Sequence, residues 1–218
     1  MEVINQIFFN QCYIHSVSKF KQLYPNLHTP IIFDLGAYTG ISCLYFKTIF
    51  PSAKIFCLEP DAENYQLLKN NIQNNQVNQV SHAQAAVWDK NTKVAKDKKF
   101  RDGKEWSVVY QEQKDGSVNA FDMDTLMQSR QLEMIDFMKM DIEGAEQMLL
   151  GSLETAESFL PNVRFIAFEL HREFLSEENM KSIFDQLGFE TVFGTDISFA
   201  WNKNLLHNSI SKTHSLSF

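Results

Sequence analysis

IIFDLGAYTGISCLYFKTIFPSAKIFCLEP, residues 31–60, is the stretch that decides the fold. Residues 31–35 read as a buried strand, 36–40 as a glycine turn, 41–50 as a helix and 54–58 as a second strand closed by an acid, Glu59. Ile41, Leu44, Tyr45 and Ile49 recur on one helical face, whereas Ile55, Phe56, Cys57 and Leu58 form the unbroken apolar run of a strand covered on both sides. Strand, helix and parallel strand make a βαβ unit, and open α/β sheets bind ligands outside the carboxyl ends of their strands.

At those ends stand Gly36, Gly40 and Glu59. Glycines let a backbone approach a ligand with no Cβ between them, and a carboxylate at this place can accept from two ribose hydroxyls, so a nucleoside belongs here. The turn is G-x-x-x-G, with Tyr38 where a pyrophosphate-binding G-x-G-x-x-G turn carries its middle glycine, which argues against a dinucleotide. The D-L-G-A-x-x-G pattern resembles motif I of the class I S-adenosylmethionine-dependent methyltransferases, with Glu59 matching the acid that ends their second strand. That resemblance implies S-adenosylmethionine as cofactor, held by Gly36, Ala37, Tyr38, Gly40, Glu59 and Pro60. It further implies that Asp34 supports the turn or the methionine amino group, and that Ser42 helps the helix amides hold the carboxylate.

Downstream, Asp61 is placed to cap a helix carrying Tyr65, Leu68 and Ile72, and a third strand is expected over 80–87. Ala86 and Val87 then fall where adenine lies in such folds, with Trp88 or Asp89 adding a side-chain contact; a buried strand end with an exposed turn acid is the competing reading. Residues 90–104 carry seven Lys or Arg against two Asp, the sharpest composition shift in the chain. The expectation is a solvated lysine-rich excursion, or a dock for an anionic substrate, followed by a hairpin of strands 105–111 and 116–121.

Residues 135–140 form another apolar strand, ended by Asp141, with Glu143, Gly144, Ala145 and Glu146 opening a helix. A fifth strand over 163–168 ends in Glu169, Leu170 and His171. Asp141, Glu143, Glu169 and His171 thus lie at carboxyl ends of adjacent strands. They are candidate catalytic residues, His171 first, because an imidazole with a pKa of about 6.5 accepts protons near neutrality. Asp141 and Glu143 could instead cap the next helix, and within the pocket Asp141 could touch the cofactor. The four side chains could chelate Mg²⁺ or Mn²⁺, yet no fixed-spacing metal motif is present and none is predicted. Lys139, inside an apolar strand, calls for a structural ion pair. Trp106 and Phe199 offer rings for a sugar, with core packing as the alternative.

The strings FDMDTL, IDFMKMDIEGAEQMLLG and RFIAFELH resemble the FkbM-type methyltransferases, over about residues 31–171. The resemblance implies methyl transfer to a hydroxyl of a saccharide or secondary metabolite. It also implies an α/β, Rossmann-like, seven-stranded and mostly parallel sheet of order 3-2-1-4-5-7-6 with helices on both faces. The expected organisation is an N-terminal helical cap (1–30), a methyltransferase domain (31–203) and a C-terminal tail (204–218). The cap covers the sheet or the pocket, or pairs two chains as a homodimer through its helix.

The 218 residues, 44% hydrophobic with nineteen Phe, suffice for one well-filled core. A net charge of −7 disfavours nucleic acid as a partner and suits a cationic ligand such as a sulfonium. Three cysteines, two of them on the expected helix and core strand, fit a reducing cytoplasm rather than a disulfide framework. No leader or span of ~20 apolar residues is seen, so no membrane association is expected. The rival functions are a cofactor-binding accessory protein without turnover, a nucleic-acid methyltransferase exploiting the basic run, and a dinucleotide oxidoreductase.

Overall fold

The computed structural model describes residues 2–96 and 109–206. The basic run beyond Lys96, the start of the strand expected at 105, Trp106 and the tail after Leu206 lie outside the described residues.

The strands are β1 (Ile31–Leu35), β2 (Lys54–Leu58), β3 (Val80–Ala83), β4 (Ala86–Val87), β5 (Thr92–Lys96), β6 (Tyr110–Glu112), β7 (Val118–Phe121), β8 (Ile135–Met140), β9 (Val163–Glu169), β10 (Phe189–Val192) and β11 (Ile197–Asn202). The helices are α1 (Glu2–Ile4), α2 (Ile14–Leu23), α3 (Ile41–Ile49), α4 (Ala62–Asn74), α5 (Met123–Gln128), α6 (Glu146–Leu150), α7 (Leu153–Phe159) and α8 (Glu177–Gln186).

Seven strands make the main sheet in the order β3-β2-β1-β8-β9-β11-β10, which, counting only its own strands along the chain, is 3-2-1-4-5-7-6. All pairs are parallel except those of β11, which runs antiparallel to both β9 and β10. The chain leaves β1 towards β2 on one side and returns to β8 on the other, so the crevice opens at the β1/β8 switch point.

Alternation along the strands divides the interior in two. Phe33, Leu35, Met138, Ile166 and Phe168 face a core closed by α5, α7 and α8 through Leu126, Phe159 and Phe184. Ile32, Ile55, Phe137 and Phe165 face the other, closed by α2, α3 and α4 through Phe20, Phe46 and Leu68. On that second face the Phe137 and Phe165 rings stack at 5.2 Å and Phe165 and Phe199 at 5.7 Å, while Phe20 meets Phe137 edge-on at 5.3 Å. Phe199 therefore belongs to the core.

Several local expectations change. The helical cap expected over 1–30 is not one continuous helix: a π-helical turn follows α1 at Asn5–Phe9, and Gln11 sits at φ 52° before α2 begins. The strand expected over 80–87 splits, because β4 leaves the main sheet and pairs in parallel with β7. Together with β5 and β6 it forms a second sheet of order β4-β7-β5-β6. Among the described residues β6 and β7 do not pair as the expected hairpin, since β5 lies between them and pairs antiparallel with each. The reason is Val94, fully buried against Trp88 and Val118 at the centre of a small third core. Its burial makes a strand of the first part of the lysine-rich run, in which Lys93 is exposed on the opposite face and Lys96, on the face of Val94, reaches the Asp61 carboxylate. Finally, the turn after β8 is not helical: Glu143 and Gly144 have φ of 56° and 95°, and α6 starts only at Glu146.

Candidate active site

A cavity of about 600 Å³ opens over the carboxyl ends of β1, β2, β8 and β9. Of the residues singled out in the sequence, Gly36, Ala37, Tyr38, Ser42, Glu59, Pro60, Ala86, Val87, Asp141, Glu143, Glu169 and His171 all line it. Asp34 and Gly40 lie behind its wall. Trp88 reaches the cavity as well, whereas Asp89 faces a separate depression beside Gln147 and Phe174.

The glycine turn is held from both neighbouring strands. Gly36 and Ala37 each donate their backbone N–H to the Leu58 carbonyl of β2, at 3.0 and 2.9 Å. From β8, the buried Lys139 Nζ donates to the Gly36 carbonyl at 2.5 Å and to that of Leu35 at 3.3 Å. Gly36 is dictated by this crowding rather than by a ligand, for at φ 73° a Cβ there would stand 1.8 Å from the Asp141 carbonyl oxygen. Gly40, at φ 80° as the N-cap of α3, backs onto Leu68. Tyr38 holds φ 49°, a left-handed value rare outside glycine and asparagine.

Asp34 is wholly buried beneath the turn, where Oδ2 accepts from Ser42 Oγ at 2.5 Å and Oδ1 lies 3.4 Å from Lys139 Nζ. The Ser42 hydroxyl is thereby spent on Asp34. Burial alone would lower the Lys139 pKa, but Asp34 and Asp141, the latter 3.6 Å away, raise it above its ordinary value and keep the ammonium charged. The ion pair called for by the sequence is in place.

Glu59, 6% exposed, accepts the Tyr38 N–H through Oε2 at 2.7 Å and the Asp61 N–H through Oε1 at 2.9 Å. Each oxygen keeps a lone pair for a hydroxyl donor. Burial outweighs these bonds and pushes its pKa up to about 7. Beside it, Asp61 caps α4 through the amides of Glu63 and Asn64 and pairs with Lys96 of the second sheet. Tyr110, opposite Lys96 in the β5/β6 ladder, also lines the cavity, and its buried hydroxyl has no partner.

At the other end His171, 5% exposed, is ringed by carboxylates. Nε2 lies 3.6 Å from Glu143 Oε2 and 4.0 Å from Glu169 Oε1, and Nδ1 lies 3.3 Å from Glu146 Oε1 without hydrogen-bond alignment. Glu146 was not singled out in the sequence. It organises the turn, taking the Ile142 N–H at 2.8 Å and the Gly144 N–H at 2.7 Å. Burial pulls the His171 pKa down, but Glu146, Glu169 and Glu143 more than offset it and lift it to about 9. The ordinary imidazole pKa assumed for a general base therefore does not hold here, and the resting ring is charged at neutral pH. Burial likewise lifts Glu169 to about 7.

The N-terminal segment supplies the remaining wall: Asn5, Gln6, Asn10, Cys12 and Tyr13 all face the cavity. Their signal in the sequence was the amide-rich NQ…NQ pattern at 5–11, which interrupts an otherwise apolar helical face.

The sequence profile of the methyltransferase FkbM domain matches residues 34–191, most of the chain. The chain belongs to the FkbM methyltransferase family. A curated relative, the 2-O-methyltransferase NoeI of Sinorhizobium fredii, is 29% identical over 184 residues, covering 75% of this chain and 73% of the relative. Among solved structures, the methyltransferase FkbM from Methylobacillus flagellatus KT superposes with a TM-score of 0.53 at 17% identity, over 80% of this chain and 44% of that one. The METTL16 methyltransferase domain gives 0.52 at 14% identity, over 87% and 66%. This chain thus spans less than half of the first of these structures. The two likenesses show a shared Rossmann-like fold, whose methyltransferases in general draw their methyl group from S-adenosylmethionine. The match begins at Asp34, so the N-terminal wall of the cavity lies outside the matched residues.

The residues fit such a cofactor. An acid with spare lone pairs stands at the end of β2, small backbone-lined residues Ala86 and Val87 flank it, and carboxylates crowd the far end, where a sulfonium would meet negative charge. No helix among the described residues is long and apolar enough to cross a membrane.

Proposed function

We propose that this protein is an S-adenosylmethionine-dependent O-methyltransferase acting on a hydroxyl of a saccharide or secondary metabolite. One observation carries the reading: the acid–histidine cluster of Asp141, Glu143, Glu169 and His171 opens into the same cavity as the glycine turn and Glu59. Glu59 would accept from the ribose hydroxyls of such a cofactor and Ala86 and Val87 would flank its adenine, leaving the acid–histidine cluster to face the sulfonium. The name of the relative NoeI, a 2-O-methyltransferase, agrees with a hydroxyl acceptor. So does a wall of three side-chain amides, which both donate to and accept from hydroxyl groups.

The reaction is an in-line displacement. When bound, S-adenosylmethionine would supply the methyl group, the acceptor oxygen bonding to its carbon as the carbon–sulfur bond breaks and the electron pair returns to sulfur, giving neutral S-adenosylhomocysteine. The hydroxyl proton must leave as the ether forms. We assign its uptake to Glu143, which the left-handed backbone at φ 56° presents to the cavity 3.6 Å from His171 Nε2. Backbone strain of this kind is kept where the surroundings hold a side chain in place for use.

The test is label transfer from methyl-labelled S-adenosylmethionine to a panel of oligosaccharides and hydroxylated aromatic compounds, with the product's linkage read by mass spectrometry. The expected product is an alkali-stable ether. Glu143→Gln should lower kcat about 10²- to 10⁴-fold, the usual worth of a positioned proton acceptor, with S-adenosylhomocysteine affinity within about twofold of the parent. Label found on nitrogen or in an ester would overturn the acceptor class, and an unchanged kcat would remove Glu143 from the reaction.

A further inference from the structure

We propose that Asp141, Glu169 and His171 form a binding site for a divalent cation of the Mn²⁺ type at the acceptor end of the cavity. The inference rests on the reading of this cavity as the reaction site only for what the ion does there, not for its binding. One ligand atom from each of the three side chains lies within 4.8 Å of the other two. Donors held about 2.1 Å from an octahedral ion stand about 3 to 4.2 Å apart, so small side-chain rotations close the set. Two carboxylate oxygens and an imidazole nitrogen suit Mn²⁺ and its first-row neighbours better than Ca²⁺, which takes oxygen alone.

A second observation comes from behind the histidine. Metal-bound imidazoles nearly always point their other ring nitrogen at a carboxylate or carbonyl that fixes the tautomer. Here Nδ1 is buried, has no aligned hydrogen bond, and stands 3.3 Å from Glu146 Oε1. Glu146 is itself 1% exposed and pinned by the amides of Ile142 and Gly144, so it cannot swing away. That leaves Nε2 directed at Glu143, Glu169 and the cavity, where a bound ion would take the place of the proton that the resting ring carries and release it to solvent.

The charges point the same way. Asp141, Glu146 and Glu169 gather at this end around His171, and Lys139, 3.6 Å from Asp141, is shared with Asp34 and the glycine-turn carbonyls. Carboxylates brought together away from water are stabilised by cations, and a divalent ion would add positive charge at one point. Its chemical use follows: an acceptor hydroxyl bound to the ion would lose its proton more readily, to the Glu143 carboxylate beside His171.

The experiment is a titration of the full chain, stripped with chelator, with Mn²⁺, followed by loss of the free-ion paramagnetic resonance signal; S-adenosylhomocysteine binding is measured in parallel on the same samples. One Mn²⁺ per chain is expected, with at least about tenfold weaker binding in Asp141→Asn, Glu169→Gln and His171→Asn, and no change in Glu190→Gln, an exposed acid on β10. Protein that binds S-adenosylhomocysteine but takes up no Mn²⁺ overturns the ion site and leaves the cofactor reading standing. Mn²⁺ uptake without S-adenosylhomocysteine binding supports the site and overturns the cofactor reading. Uptake that the three substitutions leave unchanged, in variants whose circular dichroism matches the parent, also overturns the assignment.

Discussion

Glu59 shows how one side chain can be legible in kind and not in energy. Its position at the end of β2 follows from the pattern of residues 54–59, but its two backbone bonds and its pKa of about 7 follow from burial, which only the folded chain defines. Because the folded pKa lies above the ordinary 4.5, the native state holds its proton more tightly than the unfolded chain. Its contribution to stability is therefore complete below about pH 4.5 and lost as pH rises through about 7. Binding runs oppositely, since ribose hydroxyls donate best to the ionised form. Calorimetric affinity for S-adenosylhomocysteine should rise between pH 6 and 8 in the parent. Glu59→Gln should bind at least about tenfold more weakly at pH 8 and show no rise; a parallel rise in the variant would assign the titration to another group. Glu146 was missed for a related reason. Its burial and its hold on Ile142, Gly144 and His171 depend on a left-handed turn at Glu143 that an acid-rich helix start does not announce.

Among the elements, α2 is the one whose role the sequence left most open between packing and pairing. Phe20, 1% exposed, sits on the Phe137, Phe165 and Phe50 rings, so the apolar face of this helix is covered by the chain's own sheet. Truncating such a ring removes both its transfer energy and its neighbours' contacts: Phe20→Ala should cost about 3 to 5 kcal/mol in urea unfolding. A loss below about 1 kcal/mol would mean that α2 contributes little to the native core. The strands of the main sheet were legible because each is a short apolar run closed by a turn or an acid. The second sheet was not. Its strands are two to five residues long, β5 hides one buried Val94 among lysines, and β4 gains its place only by pairing with β7, more than thirty residues on. Such pairings carry no local signal.

For the whole molecule, strand order and the site's location at the β1/β8 crossing followed from the βαβ unit and the family resemblance, and both stand in the structure. What sequence periodicity could not supply was closure of the cavity, because its walls come from segments far apart in the chain: Asn5 to Tyr13, Trp88 and Tyr110. One feature joins its two ends. The Lys139 ammonium touches the glycine turn, Asp34 and Asp141 together, so the loop proposed to hold the cofactor and the acid proposed to stand at the acceptor end share a single buried charge. Anything that alters the charge on Asp141 changes the pull on the turn, and by thermodynamic reciprocity whatever settles on the turn alters the acid by the same free energy. A double-mutant cycle reads this out: Asp141→Asn should change S-adenosylhomocysteine affinity severalfold in the parent and by less in a Lys139→Met background. Strictly additive effects would show that Lys139 transmits nothing. If the effects are coupled, the two substrates of this protein do not bind as strangers; each finds a site already biased by whether the other has arrived, through one lysine.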